Sequence, residues 1–208
     1  MFEDRADAAN KLCLKLSKFS DNKNTFVVGL TRGGVVTAKI ISQNLHLKLK
    51  AIIVKKIGLP WDKELAIGAI ISEKNIFWNE KICREFDIDG AKKEALILEK
   101  LRELNNLKNI LKIKTNEAEY KGKTIILTDD GVATGISVIT AAKYIKKKGA
   151  DKLILAVPVI ALDTLKNIGK YFDDIVYLEG RKDFFSVSQF YNNFEQISDQ
   201  KVAKILKI

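Results

Sequence analysis

Two carboxylates in succession, Asp129 and Asp130, are followed by Gly131, Val132, Ala133, Thr134, Gly135, Ile136 and Ser137, a run dominated by small and hydroxylated residues. Backbone N–H groups in a glycine-containing loop at the start of a helix carry partial positive charge and suit a phosphate. The hydroxyls of Thr134 and Ser137 can add donors. Carboxylates repel a phosphate but accept hydrogen bonds from sugar hydroxyls. Acid pair and loop together therefore point to a site for ribose 5-phosphate. A plain strand-to-helix turn with an acidic N-cap explains one carboxylate, but not the doubled acid coinciding with the small-residue loop.

A second constellation lies at Thr31-Arg32-Gly33-Gly34. Arg32 offers a planar fork of donors, and the two glycines let backbone amides approach a ligand closely. Pyrophosphate would use both at once. Alone this is a weak signal, better read as a simple turn; beside the acid-pair motif it gains meaning. Lys55 and Lys56 end a third apolar run, and Gly58, Pro60, Trp61 and Asp62 then interrupt regular structure, making 57–64 a candidate mobile loop or an ordinary exposed connection.

The elements that must carry these groups follow from apolar spacing. The run from Thr124 is short, apolar and rich in β-branched residues, which predicts a buried parallel strand, and a helical pattern follows from Val138 to Lys148. Phe26 to Leu30 predicts a strand ending at the second loop, with a helix over Val35 to Leu45. Ahead of it, Ala8, Leu12, Leu16 and Phe19 mark an amphipathic helix. Further strands are expected over Ala51 to Ile57, Leu65 to Ser72, Asn75 to Trp78, Lys152 to Val157 with Pro158 at its end, and Asp174 to Leu178. Helices are expected over Ala161 to Ile168 and Asp199 to Leu206. From Glu80 to Lys114 the pattern is helical and charged, with a stripe of Leu101, Leu104, Leu107 and Leu111. It interrupts the strand–helix alternation and reads as an insertion, either a cap over the site or a subunit contact. The segment from Arg181 to Asn193 is rich in aromatics, a core or a stacking surface.

The 208 residues suit one domain, 1–208, with the helical insertion at about 80–114 and an aromatic-rich tail at about 181–208. No apolar run approaches membrane-spanning length, so a cytoplasmic protein with no membrane partner is expected. Cys13 and Cys83 lie far apart and His46 is the single histidine, which excludes a usual zinc site and gives no reason for a disulfide. The net charge of +10 is spread over most segments without a nucleic-acid motif. Anionic small molecules are the expected partners, not nucleic acid.

The stretch TDDGVATGIS after three apolar strand residues resembles the phosphoribosyl pyrophosphate motif of the type I phosphoribosyltransferases. FEDRADAA, LTRGGV, VKKIGLP, ELAIGAI, AVPV and FYNNFEQISD extend the resemblance to predicted members of that family over nearly the whole chain. It implies a three-layer α/β/α fold with a mostly parallel sheet of order 3-2-1-4-5-6, strand 3 antiparallel, plus a small helical cap. It implies transfer of the 5-phosphoribosyl group to a base or amine with release of pyrophosphate, or, in non-catalytic members, a regulatory protein that senses phosphoribosyl pyrophosphate and could bind nucleic acid. Residue by residue, Asp129 and Asp130 would hold the ribose hydroxyls and Gly131 to Ser137 the 5-phosphate. Thr31 to Gly34 would form the pyrophosphate loop, where the family commonly carries a strained peptide bond and most relatives have proline at the position of Thr31. Arg32 and Lys55 or Lys56 would share the leaving group with magnesium, which would be held mainly through the substrate, so no protein metal ligands are expected. A homodimer is compatible. Hypoxanthine-guanine enzymes carry aspartate where Ala133 stands; its absence disfavours an oxopurine and leaves orotate-like, adenine-like or ammonia-like acceptors.

Overall fold

The computed structural model describes residues 1–113 and 120–206, so Lys114 at the end of the expected insertion and residues 207 and 208 of the tail lie outside it. In chain order the elements are α1 (Arg5–Leu16), β1 (Thr25–Leu30), α2 (Gly33–Asn44), β2 (Lys48–Ile52), β3 (Lys55–Gly58), β4 (Ala66–Ser72) and β5 (Asn75–Trp78). There follow α3 (Glu80–Glu85), α4 (Gly90–Leu111), β6 (Thr124–Thr128), α5 (Ile136–Lys147), β7 (Lys152–Ala161), α6 (Leu162–Ile168), β8 (Asp174–Arg181) and α7 (Asp199–Leu206).

Five strands form a parallel sheet in the order β2-β1-β6-β7-β8. Its central strands are apolar on both faces, and their period of two divides the core. Val28, Ile125, Leu127, Leu153 and Leu155 face the side covered by α5, through Val138, Ala141 and Ile145. Val27, Ile126, Ile154 and Ala156 face Leu12, Leu16, Ala38 and Ile41 of α1 and α2.

The expected six-strand order is not formed. The run Ala51 to Ile57 is two strands: Ile52 ends the pairing of β2 with β1, whereas Lys55 begins an antiparallel pairing with Ile70 of β4. β3, β4 and β5 make a separate antiparallel sheet, and Ala69 and Ile71 pack it into the α5 core. The main sheet thus ends at β2, whose Lys48 and Lys50 discourage a further strand. Pro158 does not end β7, which pairs with β8 out to Ala161 and Arg181.

The leucine stripe is packing. Leu104, Leu107 and Leu111 of α4 bury against Val35, Ile53 and Val202 of α7, while Leu96 joins Ile67, Ile70 and Cys83 on the small sheet. Asp89 caps α4 by accepting the N–H of Lys92 at 2.8 Å. Both cysteines are buried free thiols. Among the described residues no helix is long and apolar enough to cross a membrane.

Candidate functional site

The parallel pairing of β1 with β6 sets Gly29 beside Thr128, so the loops that leave these strands emerge side by side. This is the carboxyl edge of an open α/β sheet, where ligands collect. After Thr128, Asp129 is half-buried and Asp130 is buried at 9% exposure. The loop is then stitched to β7: Val132 donates to the Val159 carbonyl at 2.9 Å and accepts from the Ala161 N–H at 2.9 Å. Gly135 has φ +77°, and a Cβ there would come within 2.8 Å of Thr164 Cγ2, so conformation and space both select glycine. As the N-cap of α5 it supplies no side-chain acceptor, leaving the first amides of the helix open to an anion. The Thr164 hydroxyl fixes the turn by donating to the Ala133 carbonyl. Asp129, Gly131 to Val138 and Lys56 line one concavity.

The other loop meets this one through its glycines. A Cβ on Gly34 would lie 2.6 Å from the Thr128 carbonyl and 2.9 Å from Asp129 Oδ1, and one on Gly33 would overlap the Asp130 carboxylate. Side chains at these positions would push the loops apart. Thr31 donates to the Ile52 carbonyl at 3.1 Å, and the Thr31–Arg32 peptide bond is cis, at the place where the resemblance implies an unusual one. Arg32 does not point its fork into the concavity. Its Nε lies 2.6 Å from Asp199 Oδ1 and its Nη2 3.3 Å from Oδ2, at the start of α7.

The two lysines part company. Lys55 Nζ lies 3.3 Å from Glu103 of α4, whereas Lys56, the next residue on a strand and hence on the opposite face, borders the concavity. The loop at 57–64 is shorter than expected: Ile57, Gly58 and Leu59 are buried, and Pro60 to Glu64 are exposed.

Behind the acid pair sit residues that local sequence did not nominate. Arg5 Nε donates to Asp130 Oδ2 at 2.8 Å, and Tyr191 donates its hydroxyl to the Asp130 carbonyl at 2.5 Å. The aromatic tail is mostly core, with Phe190 and Tyr191 packed on Phe2 and Val159, although Phe185 is 90% exposed. The available signal was the FEDRADAA and FYNNFEQISD segments, which carried the resemblance without a role attached. Burial first, and the Asp130 carboxylate second, hold Asp129 well above the ordinary carboxylate range, against the Asp130 N–H and Lys56. Burial, with Asp130 next, raises the Tyr191 phenol, which therefore stays a donor. No group of three or more metal-ligating side chains occurs among the described residues.

The family model of the phosphoribosyl transferase domain matches residues 2–195. A Mycobacterium tuberculosis (strain H37Rv) protein, provisionally named a phosphoribosyl transferase, is 34% identical over 206 residues, 99% of this chain and 46% of that protein. The chain thus spans about half the length of this curated relative. A ribose-phosphate pyrophosphokinase of Thermosipho africanus is 38% identical over 99 residues, 44% of this chain and 30% of that one. Among crystal structures, a protein of Thermus thermophilus superposes with a TM-score of 0.80 at 28% identity, covering 99% of this chain and 97% of that chain.

Proposed function

The chain belongs to the phosphoribosyl transferase family, and from that premise we propose that it moves the 5-phosphoribosyl group of phosphoribosyl pyrophosphate to a small base or amine, releasing pyrophosphate. The observation that carries this reading is the contact of Gly33 and Gly34 with the two carboxylates, which brings the loop at 31–34 against the loop at 129–137.

On this reading Asp129 and Asp130 accept hydrogen bonds from the ribose hydroxyls and hold the ring, while the amides of 131–137, with Thr134 and Ser137, take the 5-phosphate. The bond from the anomeric carbon to the pyrophosphate oxygen breaks as a nitrogen of the acceptor bonds to that carbon. Positive charge grows on the ring near the carboxylates, and negative charge on the leaving group is met by Thr31 to Gly34, Lys56 and an Arg32 withdrawn from Asp199. A magnesium ion would be held chiefly by substrate oxygens, and Asp129 and Asp130 are the adjacent carboxylates of this chain that would face it, one oxygen of Asp130 being committed to Arg5. When bound, that ion would neutralise charge on the leaving pyrophosphate. Ala133 offers no carboxylate for proton exchange with an oxopurine nitrogen, so orotate-like, adenine-like or ammonia-like acceptors fit better. The chain would act as one domain over 1–208, with the helices at about 80–114 as an insertion.

The test is pyrophosphate release across a panel of bases and amines. At least one acceptor is expected to support it, and chelating magnesium is expected to abolish it. A chain that binds phosphoribosyl pyrophosphate but releases nothing with any acceptor would exclude transfer.

A further inference from the structure

Arg5 is 7% exposed, at the first turn of α1, yet its guanidinium touches two distant parts of the chain, at residue 130 and at residues 194 and 195. Nε donates to Asp130 Oδ2 at 2.8 Å, Nη1 donates to the Glu195 carbonyl at 2.8 Å, and the central carbon lies 3.7 Å from the centre of the Phe194 ring. The same carboxylate abuts Gly33, where a Cβ would come within 3.2 Å of Arg5 Nε. Tyr191 fixes the adjoining Asp130 carbonyl at 2.5 Å. One planar cation therefore stands where the first helix, the tail, the acid pair and the opposite glycine loop meet.

A buried ion pair serving only stability would fit anywhere in the core. This one commits a single oxygen of Asp130, the neighbour of the Asp129 that lines the concavity, and fixes the plane in which the other oxygen lies. We infer that Arg5 is a positioning residue: by holding Oδ2 of Asp130 it aims the remaining oxygen at the sugar hydroxyls and keeps the two glycine loops in register. The inference rests on the phosphoribosyl pyrophosphate reading above. Lysine is a poor substitute, because a point charge lacks the planar face that stacks on Phe194 and the second directed donor for Glu195.

The experiment is calorimetric titration of the full chain with phosphoribosyl pyrophosphate and magnesium, with thermal unfolding of the same samples. Arg5→Gln is expected to weaken binding roughly tenfold, and Arg5→Lys to recover part of that loss. The double variant Arg5→Gln/Asp130→Asn is expected to bind no more weakly than Asp130→Asn alone, because Arg5 acts through that carboxylate. Unchanged affinity in a folded but less stable Arg5→Gln protein would reduce Arg5 to a structural role and overturn the inference, as would additive losses in the double variant. Should Arg5→Gln fail to fold, Arg5→Lys and Phe194→Leu carry the test: few-fold losses support it and unchanged affinity in both overturns it. Absence of binding by the wild-type chain is a separate result that removes the phosphoribosyl reading itself, and the inference with it.

Discussion

If Asp129 holds the ribose, as proposed, it sets binding against stability. Its carboxyl is raised by burial and by Asp130, so the folded chain retains a proton that the unfolded chain gives up. The resulting contribution to stability is full below the ordinary carboxylate value and is lost as pH rises through the raised value. Ribose binding has the opposite sign, since an ionised Asp129 is the better acceptor and affinity grows as the proton leaves. Asp129→Asn removes a crowded charge and is expected to stabilise the fold near neutral pH by about 0.5–2 kcal/mol, while weakening phosphoribosyl pyrophosphate binding at least tenfold. Melting temperature against pH checks the first part, with the wild-type decline absent in the variant; calorimetry checks the second. Unchanged affinity would remove Asp129 from the ribose site.

Among the elements, α7 is the one whose placement alters the reading of the site. It starts beyond the matched residues 2–195, seats Val202 against Leu104, Leu107 and Leu111, and brings Asp199 to Arg32. A half-exposed pair of this kind is worth about 0.2–1 kcal/mol, a modest toll that, on the proposed reading, an incoming pyrophosphate meets. Asp199→Asn is therefore expected to tighten phosphoribosyl pyrophosphate binding by up to about fivefold; weaker binding would show instead that Asp199 aims Arg32. The strands that carry the two loops were legible, because short β-branched runs ending in glycine and acid have few other solutions. The break between β2 and β3 was not, since Ala51 to Val54 runs into Lys55, Lys56 and Ile57 with no glycine or proline between, and only the exchange of partners, Leu30 for Ile52 and Ile70 for Lys55, reveals it. Pro158 misled because a proline usually ends a strand, whereas β7 continues with Val132 bridged to Ile160 on its other side. The Arg5–Asp130 pair spans 125 residues, a separation that no local periodicity encodes.

Over the whole molecule, a net charge of +10 surrounds a site read as binding a highly anionic substrate. That field draws the ligand in from solution and is screened by salt. Raising sodium chloride from about 0.05 M to about 0.5 M, which shortens the screening length severalfold, is expected to slow association much more than dissociation in stopped-flow traces; equal effects on both rates would remove the steering role. The fold also draws residues far apart in sequence together: Phe2 donates to the Phe190 carbonyl at 2.8 Å, and Asn192 donates to the Phe2 carbonyl at 2.9 Å. For a chain made from one end to the other, this sets a timetable. Phe194 and Glu195 follow Arg5 out of the ribosome on the order of ten seconds later at ordinary elongation rates. Until they arrive the guanidinium has no ring to stack on and the acid pair lacks its backing. On the proposed reading, the ribose site of a nascent chain is therefore incomplete until residues 194 and 195 have been made.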